Sequence, residues 1–405
     1  MRNSILTLLV MLFSPCLLAQ KIEKYIGSVT IDMAGRTYRS SLDIYFSSYA
    51  ESDTVKLYIQ GGAEITSVKS GASSISYKTT DEELVYDSRK KQILIPIDNI
   101  THKKISISYA NSFDEIKNKR FQYKPDWTEF NIYTDWFPWN IAYGLFHYDL
   151  KINTTDSVIG ANLSENNVLK STNATFDMSF LVSSKAQRKT TKNGKINIYY
   201  HQVADTIINS IQEKSEQFFS YYEQTYGPAD TDELVIVVSD SKRSLSYARP
   251  NFISLNFDEQ FTKTHIKTLA HEIAHLWWLK ADLATWEDWL NEAFAEYSAY
   301  VVYRTEYGKD AYDDYIQKIE NWLQKFELPT LWEIEKSHSE SNRVLTYKGA
   351  LYLCELENRI GIEKMEALLK EMHGRKIVTT TDFLDLLTEL TDPTTSSWFE
   401  EQLKK

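Results

Sequence analysis

Cysteine is almost absent from this chain of 405 residues: there are two, Cys16 and Cys354. That excludes the dense disulfide framework that holds small secreted modules together. Long apolar runs are scarce as well. The stretch "ILTLLVMLF" near the N-terminus is too short to span a bilayer, and nothing later is long and apolar enough to be a membrane helix. Positive charge is outnumbered, with 45 Lys and Arg against 56 Asp and Glu, and it forms no basic stripe. Nucleic acid is thereby excluded as an expected partner. The acidic balance speaks for solubility and little more. There is no internal repeat and no low-complexity tract.

What is present is ordinary globular usage, 42% hydrophobic and 25% charged, over a length that suits two domains. Residues 1–19 read as a cleavable signal peptide: Arg2 starts it, the apolar run follows, and "SPCLLAQ" closes on a small residue before a polar one. A secreted or periplasmic protein is expected, with Cys354 as its one remaining cysteine. A lipoprotein anchor at Cys16 is the weaker reading, because "FSPC" lacks the usual Leu and small residue.

From Lys21 to about Asn111, "GSVTIDM", "SSLDIYFS", "TVKLYIQ", "QILIPI" and "KISISYA" alternate apolar and polar residues between short turns. Period 2 at that spacing predicts an antiparallel β-sandwich over residues 20–190. The aromatic stretch "FQYKPDWTEFNIYTDWFPWNIAYGLFHYDLKI" is expected in its core or at a domain seam. After about Asp205 the period turns helical; "TIINSIQEKSEQFFSYYEQTYG" stops at a glycine, as a helix does. "ELVIVVSD" reads as a short buried strand. With "SSKAQRKTTKNGK" as the most linker-like stretch, residues 191–405 form a second, mainly helical domain, and the whole is multi-domain α+β.

The segment "LAHEIAHLWWLKADLATWEDWLNEAFAEY" carries the chemistry. His271 and His275 are four apart, so on a helix they share one face. An accidental H-E-x-x-H is expected on the order of 0.01 times in such a chain. The bland alternative is two hydrogen-bonded histidines on a core helix. Leu269, Ala270, Ile273, Ala274, Leu276 and Trp277 surround the polar trio on every side, so its groups are costly inside unless something pairs them. A cation would. Downstream, Glu292 offers a carboxylate on a second helix, and Glu296 lies one turn further along the same face. Two imidazoles, a carboxylate and an open position are what catalytic zinc, Zn2+, takes. Glu296 then suits the free N–H of a ligand histidine. Glu272 suits a base that takes a proton from water and passes it to the leaving amine.

"HEIAHLWW" followed by "WLNEAFAEY" resembles the zinc gluzincin peptidases of the alanyl-aminopeptidase and leukotriene-hydrolase type. "NIYYHQ", "ELVIVVSD" and "TYKGALYLCELENRIG" resemble other parts of that family, and the resemblance covers most of residues 115–405. It implies His271, His275 and Glu292 as metal ligands, Glu272 as base, a thermolysin-like second domain, and a peptide or protein substrate. Four departures stand out. The spacer between His275 and Glu292 is 16 residues where the family has 18. The G-x-M-E-N strand, whose glutamate holds a substrate amine, is replaced by "SYARPNFISLN", which offers Arg249 and no acid; Glu129 is a substitute, though expected as an ordinary surface acid. "LTYKG" puts Thr346 where the family has its oxyanion-steadying tyrosine, with Tyr347 one residue later. The chain also ends before the family's large C-terminal helical domain.

The leading reading is a secreted zinc metallopeptidase, aminopeptidase-like, with Glu272 and Tyr347 as catalytic residues. The alternative is a zinc-retaining binding protein on a peptidase scaffold that has lost turnover. A carbohydrate-binding β-sandwich using exposed tryptophans is a third reading; it accounts for the first half alone.

Overall fold

Alternation builds the first half of the molecule. In Lys104–Ser112 every second residue is buried, and Thr54–Gln60 follows the same rule through Ile59. One face of each strand therefore has to meet another apolar surface. The computed structural model describes residues 21–405 except 49–52, 81–82, 86–87, 117–122, 232, 240–245 and 258–259. The leader expected over residues 1–19, with Cys16, lies outside the described residues.

Two sheets supply the facing surfaces. The larger runs in the order Val168–Lys170, His147–Asn153, Lys21–Asp32, Thr37–Ser48, Lys104–Ser112, Glu64–Ser70, Ser73–Ser74. The smaller joins Thr54–Gln60, Ser88–Pro96 and Lys78–Thr79, with Glu83–Val85 also on Ser88–Pro96. Val29, Leu42, Ile44 and Ile107 of one meet Val55, Leu57, Ile93 and Ile95 of the other in a single apolar cluster. The sandwich is antiparallel except where Lys24–Thr30 pairs in parallel with His147–Asn153.

The aromatic stretch divides between core and seam. Phe130, Trp136, Phe137 and Trp139 are buried inside the sandwich, and the rings of Phe130 and Phe180 stack at 4.7 Å. Trp127 belongs instead to a cluster that also holds Leu181, Val235, Val237 and Phe252. None of Trp127, Trp136 and Trp139 is more than 4% exposed, which removes the tryptophan surface that the carbohydrate-binding reading needs.

A mixed sheet of five strands starts the second half: Gln187–Thr190, Ile196–Tyr200, Leu234–Ser239, Phe252–Asn256, Tyr247–Arg249. Its three inner strands are parallel and both edges antiparallel. Leu234–Ser239 is buried on both faces, hence its continuous apolar run. Val235 and Val237 face the β-sandwich side, while Leu234, Ile236 and Val238 face the helices. The strand Gln187–Thr190, just ahead of residue 190 where the sequence reading divides the chain, pairs with Ile196–Tyr200 and so extends this second sheet.

The helices follow: α1 (Asp205–Tyr226), α2 (Lys263–Ala274), α3 (Trp289–Tyr307), α4 (Lys309–Leu323), α5 (Gly349–Ile360), α6 (Ile362–Gly374), α7 (Thr380–Leu390) and α8 (Pro393–Leu403). A turn of π-helix, Arg343–Lys348, runs directly into α5. Together with one face of the sheet they enclose one large core that takes in Leu269, Ile273, Trp277, Trp289, Phe294 and Leu353. Among the described residues no helix is long and apolar enough to cross a membrane.

Candidate metal and active site

Helix α2 ends where its chemistry begins. His271 lies in its last turn and His275 caps it, still in right-handed helical conformation, so both rings leave the same face. The negative end of a helix dipole favours a cation there. Glu292 comes from the first turn of α3, which packs along α2.

The loop between them is short, and Asn291 pins it. Its Oδ1 accepts the backbone N–H groups of Lys280 and Ala281 at 2.9 and 3.0 Å. Its Nδ2 donates to Ala281 O at 3.1 Å and to Asp288 Oδ1 at 2.8 Å. The 16-residue spacer therefore still delivers its carboxylate.

His271 Nε2 and His275 Nε2 lie 3.2 Å apart. Glu292 sits 3.7 Å from the first through Oε2 and 3.9 Å from the second through Oε1. What occupies the far side of each ring decides what these nitrogens can do. His275 Nδ1 is 2.9 Å from the Trp278 carbonyl, which can only accept, so Nδ1 carries the proton and Nε2 keeps a bare lone pair. His271 Nδ1 is 2.9 Å from Glu296 Oε2, a charge contact that falls short of a well-aimed hydrogen bond. A carboxylate at that range likewise places the proton on Nδ1. With His271 neutral, two bare nitrogens and a carboxylate converge. Two nitrogens each about 2.0–2.1 Å from one tetrahedral zinc are separated by roughly 3.3 Å. The donor set and its spacing fit a zinc ion.

Electrostatics agree with a neutral ligand at His275. Burial lowers its pKa to about 4, against the opposing pull of Glu292. At His271 burial also works against the charged form, but the Glu296 carboxylate outweighs it and the pKa is raised. Burial would raise Glu292 too, yet His275, His271 and Lys336 hold it below the usual carboxylate range.

Glu272 is 6% exposed. Burial lifts its carboxyl to about 7, with His271 pulling down and Glu292 pushing up. A carboxyl near neutrality suits a group that must both take and give a proton.

Behind the site stands a residue that sequence reasoning missed. Lys267, one turn ahead of His271, donates to both Glu296 oxygens at 2.7 Å. Lys267 is 8% exposed and Glu296 is 1%. Burial alone would raise Glu296, but the Lys267 charge and the His271 contact bring it to about 2. Its neighbours Thr264, His265 and Thr268 are polar and exposed or half-buried, so its place four residues before a candidate ligand was the one available signal.

Thr346 and Tyr347 separate. Thr346 is buried, and its Oγ1 donates to Glu292 Oε2 at 3.4 Å. Tyr347 packs edge-on against Trp322 with ring centroids 5.1 Å apart, and burial raises its pKa, so its hydroxyl stays protonated. Gly349 lets the start of α5 lie close against α3: a Cβ there would be 2.8 Å from Ala293 Cβ. Glu129 is no surface acid. It is 5% exposed, at the seam, and accepts from Tyr247 Oη at 3.1 Å and Ser254 Oγ at 2.7 Å. It sits between the sandwich and the second sheet, where two hydroxyls satisfy its charge.

No protein-family model matches this sequence, and no curated protein matches it. Solved structures do. The M1 zinc metallopeptidase from Deinococcus radiodurans aligns over 96% of each chain with a TM-score of 0.69 at 13% identity. A mutant of it bound to a Tyr-Ser-Ala substrate aligns over 95% of this chain and 94% of that one, with a TM-score of 0.68 and 13% identity. Native yeast LTA4 hydrolase gives a TM-score of 0.73 at 14% identity, over 94% of this chain and 66% of its own length. The fold is that of an M1 zinc metallopeptidase. At such identity the likeness speaks for this peptidase scaffold, while the case for its metal rests on His271, His275 and Glu292.

Proposed function

We propose that this chain is an exported zinc metallopeptidase that hydrolyses peptide bonds. One observation carries the reading: His271, His275 and Glu292 each bring a ligand atom within 4.8 Å of the others, and the neighbouring carboxyl of Glu272 is buried with them. His271, His275 and Glu292 would hold the ion. A zinc ion bound there supplies Lewis acidity to a peptide carbonyl and to water.

The chain's own residues do the rest. Glu272 takes a proton from the attacking water on its carboxylate and returns it to the leaving amine. Glu296, backed by Lys267, holds His271 in the tautomer whose Nε2 is free. Thr346 steadies Glu292. Tyr347, kept protonated, is the oxyanion donor in this scheme. The substrate is a peptide or protein, handled in the second domain.

Trimming from the N-terminus is favoured by the likeness to M1 enzymes, one of which was captured with Tyr-Ser-Ala. The alternative, a binding protein that keeps zinc without turnover, leaves Glu272 without a purpose.

The test compares wild type with Glu272→Ala, each with its zinc content measured, on a peptide mixture read by mass spectrometry. Stoichiometric zinc with cleavage by wild type alone is expected. Equal product patterns from both would sink the enzyme reading, and internal cuts would replace trimming by endoproteolysis. For export, the protein recovered outside the cytoplasm is expected to begin at Gln20.

A further inference from the structure

Glu292 comes from the first turn of α3, so whatever fixes the start of that helix fixes a candidate ligand. An ion shared by several side chains needs each of them placed to within about 0.5 Å. Trp286, Glu287 and Asp288 form the short 3₁₀ turn that leads into α3, and each is tied to a later part of the chain. Trp286 lies against Trp332, with ring centres 5.1 Å apart. At the start of α7, Thr380 gives Glu287 Oε2 its backbone N–H at 2.8 Å and its hydroxyl at 2.6 Å. A carboxylate suits that positive end of a helix.

Asp288 carries the tie nearest the metal site. It is 4% exposed; its Oδ1 accepts Asn291 Nδ2 at 2.8 Å, and its Oδ2 accepts Lys336 Nζ. Among the described residues Lys336 is its one ion-pair partner. The lysine reaches it from the rim, with its own side chain 34% exposed, so its charge can be changed without opening the core.

Lys336 stands on fixed ground. Its segment lies between α4 and the π-helical turn, where Trp332 N donates to Leu403 O at 2.9 Å and Ser341 Oγ to Lys336 O at 3.0 Å. Lys348 Nζ donates back to Pro329 O at 2.9 Å. The same segment runs on into Arg343–Lys348, which carries Thr346 and Tyr347. One ion pair thus joins the helix that supplies Glu292 to the segment leading into the turn whose Thr346 touches it.

We propose that Lys336 is a positioning residue for the metal site: through Asp288 it sets the start of α3, and with it the place of Glu292 against His271 and His275. The assignment rests on the zinc reading of that trio. A carboxylate stripped of its counter-charge in so dry a place is driven towards water. Turning outward parts Asp288 from Asn291 and frees the first turn of α3.

Competition for zinc against a chromophoric chelator measures affinity, and visible absorption of the cobalt-loaded protein reports the geometry around the ion. Lys336→Met is expected to weaken zinc about tenfold, the lower end of what partners outside the ligand set contribute, and to alter the cobalt spectrum. Lys336→Arg restores the charge and is expected to bring both most of the way back. Asp288→Asn should repeat the loss from the other member of the pair, and is read in place of Lys336→Met should that protein fail to fold. Lys214→Met gauges mere destabilisation, because it breaks the pair with Glu306 at the far end of the same helix. It should lower the Tm of the metal-free protein and leave zinc affinity and the cobalt spectrum unmoved. Lys336→Met within about twofold of wild type, with an unchanged spectrum, overturns the proposal. So does an equal loss of affinity in Lys214→Met, or an arginine variant no better than the methionine one. A wild type that takes up neither metal would instead bring down the zinc reading itself, and this inference with it.

Discussion

Replacing Lys267 by methionine keeps the length and packing of the side chain and removes its charge. The stem stays in the core, so the change falls on Glu296. That carboxylate is 1% exposed and accepts both of its 2.7 Å hydrogen bonds from Lys267 Nζ. A surface ion pair contributes about 0–1 kcal/mol, but removing one member of a buried pair costs about 3–5 kcal/mol because the other is left charged and dry. For a domain of this size each kcal/mol shifts Tm by about 2–4 °C, so a fall of roughly 6–20 °C is expected. The second consequence is local. Glu296 holds His271 through Nδ1, and loss of such an outer partner weakens metal binding by about 10–100-fold. Thermal unfolding of the metal-free protein measures the first effect, and competition for zinc against a chromophoric chelator the second. Lys267→Met combined with Glu296→Gln removes both charges and is expected to recover most of the lost stability. A single variant within about 0.5 kcal/mol of wild type and with unchanged zinc competition would refute the reasoning.

Other perturbations test neighbouring parts of the site. Asn291→Ala removes four hydrogen bonds from the loop between the ligand helices and is expected to cost about 1–3 kcal/mol and to weaken zinc retention on dialysis. Gly349→Ala drives a Cβ to 2.8 Å from Ala293 Cβ, and an overpacking loss of about 1–3 kcal/mol should appear in denaturant unfolding. A chelator should lower the Tm of wild type and leave that of His271→Ala unmoved, because only the first has a bound ion to lose. Tyr347→Phe should lower kcat with zinc content intact if the hydroxyl meets the oxyanion; an unchanged kcat would release Tyr347 from catalysis.

Much of this was readable from residue order because period and motif act locally. Alternation in "KISISYA" and "TVKLYIQ" dictates half-buried strands, and "HEIAH" dictates one helical face. What escaped depends on distant partners. Nothing near Lys21–Asp32 announces a parallel neighbour more than a hundred residues away at His147–Asn153. Gln187–Thr190 carries polar residues on an edge, so only its pairing with Ile196–Tyr200 reveals which sheet it joins. Glu129 looks like a solvated acid until Tyr247 and Ser254 arrive from the second sheet. Lys267 is the instructive miss: among the polar residues Lys263, Thr264, His265 and Thr268 it looks like one more surface charge, and its meaning depends on Glu296 of another helix.

Anomalous scattering at the zinc edge from crystals of the zinc-loaded protein measures most directly what lies between His271, His275 and Glu292. One strong peak is expected, about 2.0–2.2 Å from both Nε2 atoms and from a Glu292 oxygen. Stoichiometric zinc held elsewhere on the chain, with these three side chains empty, would contradict it.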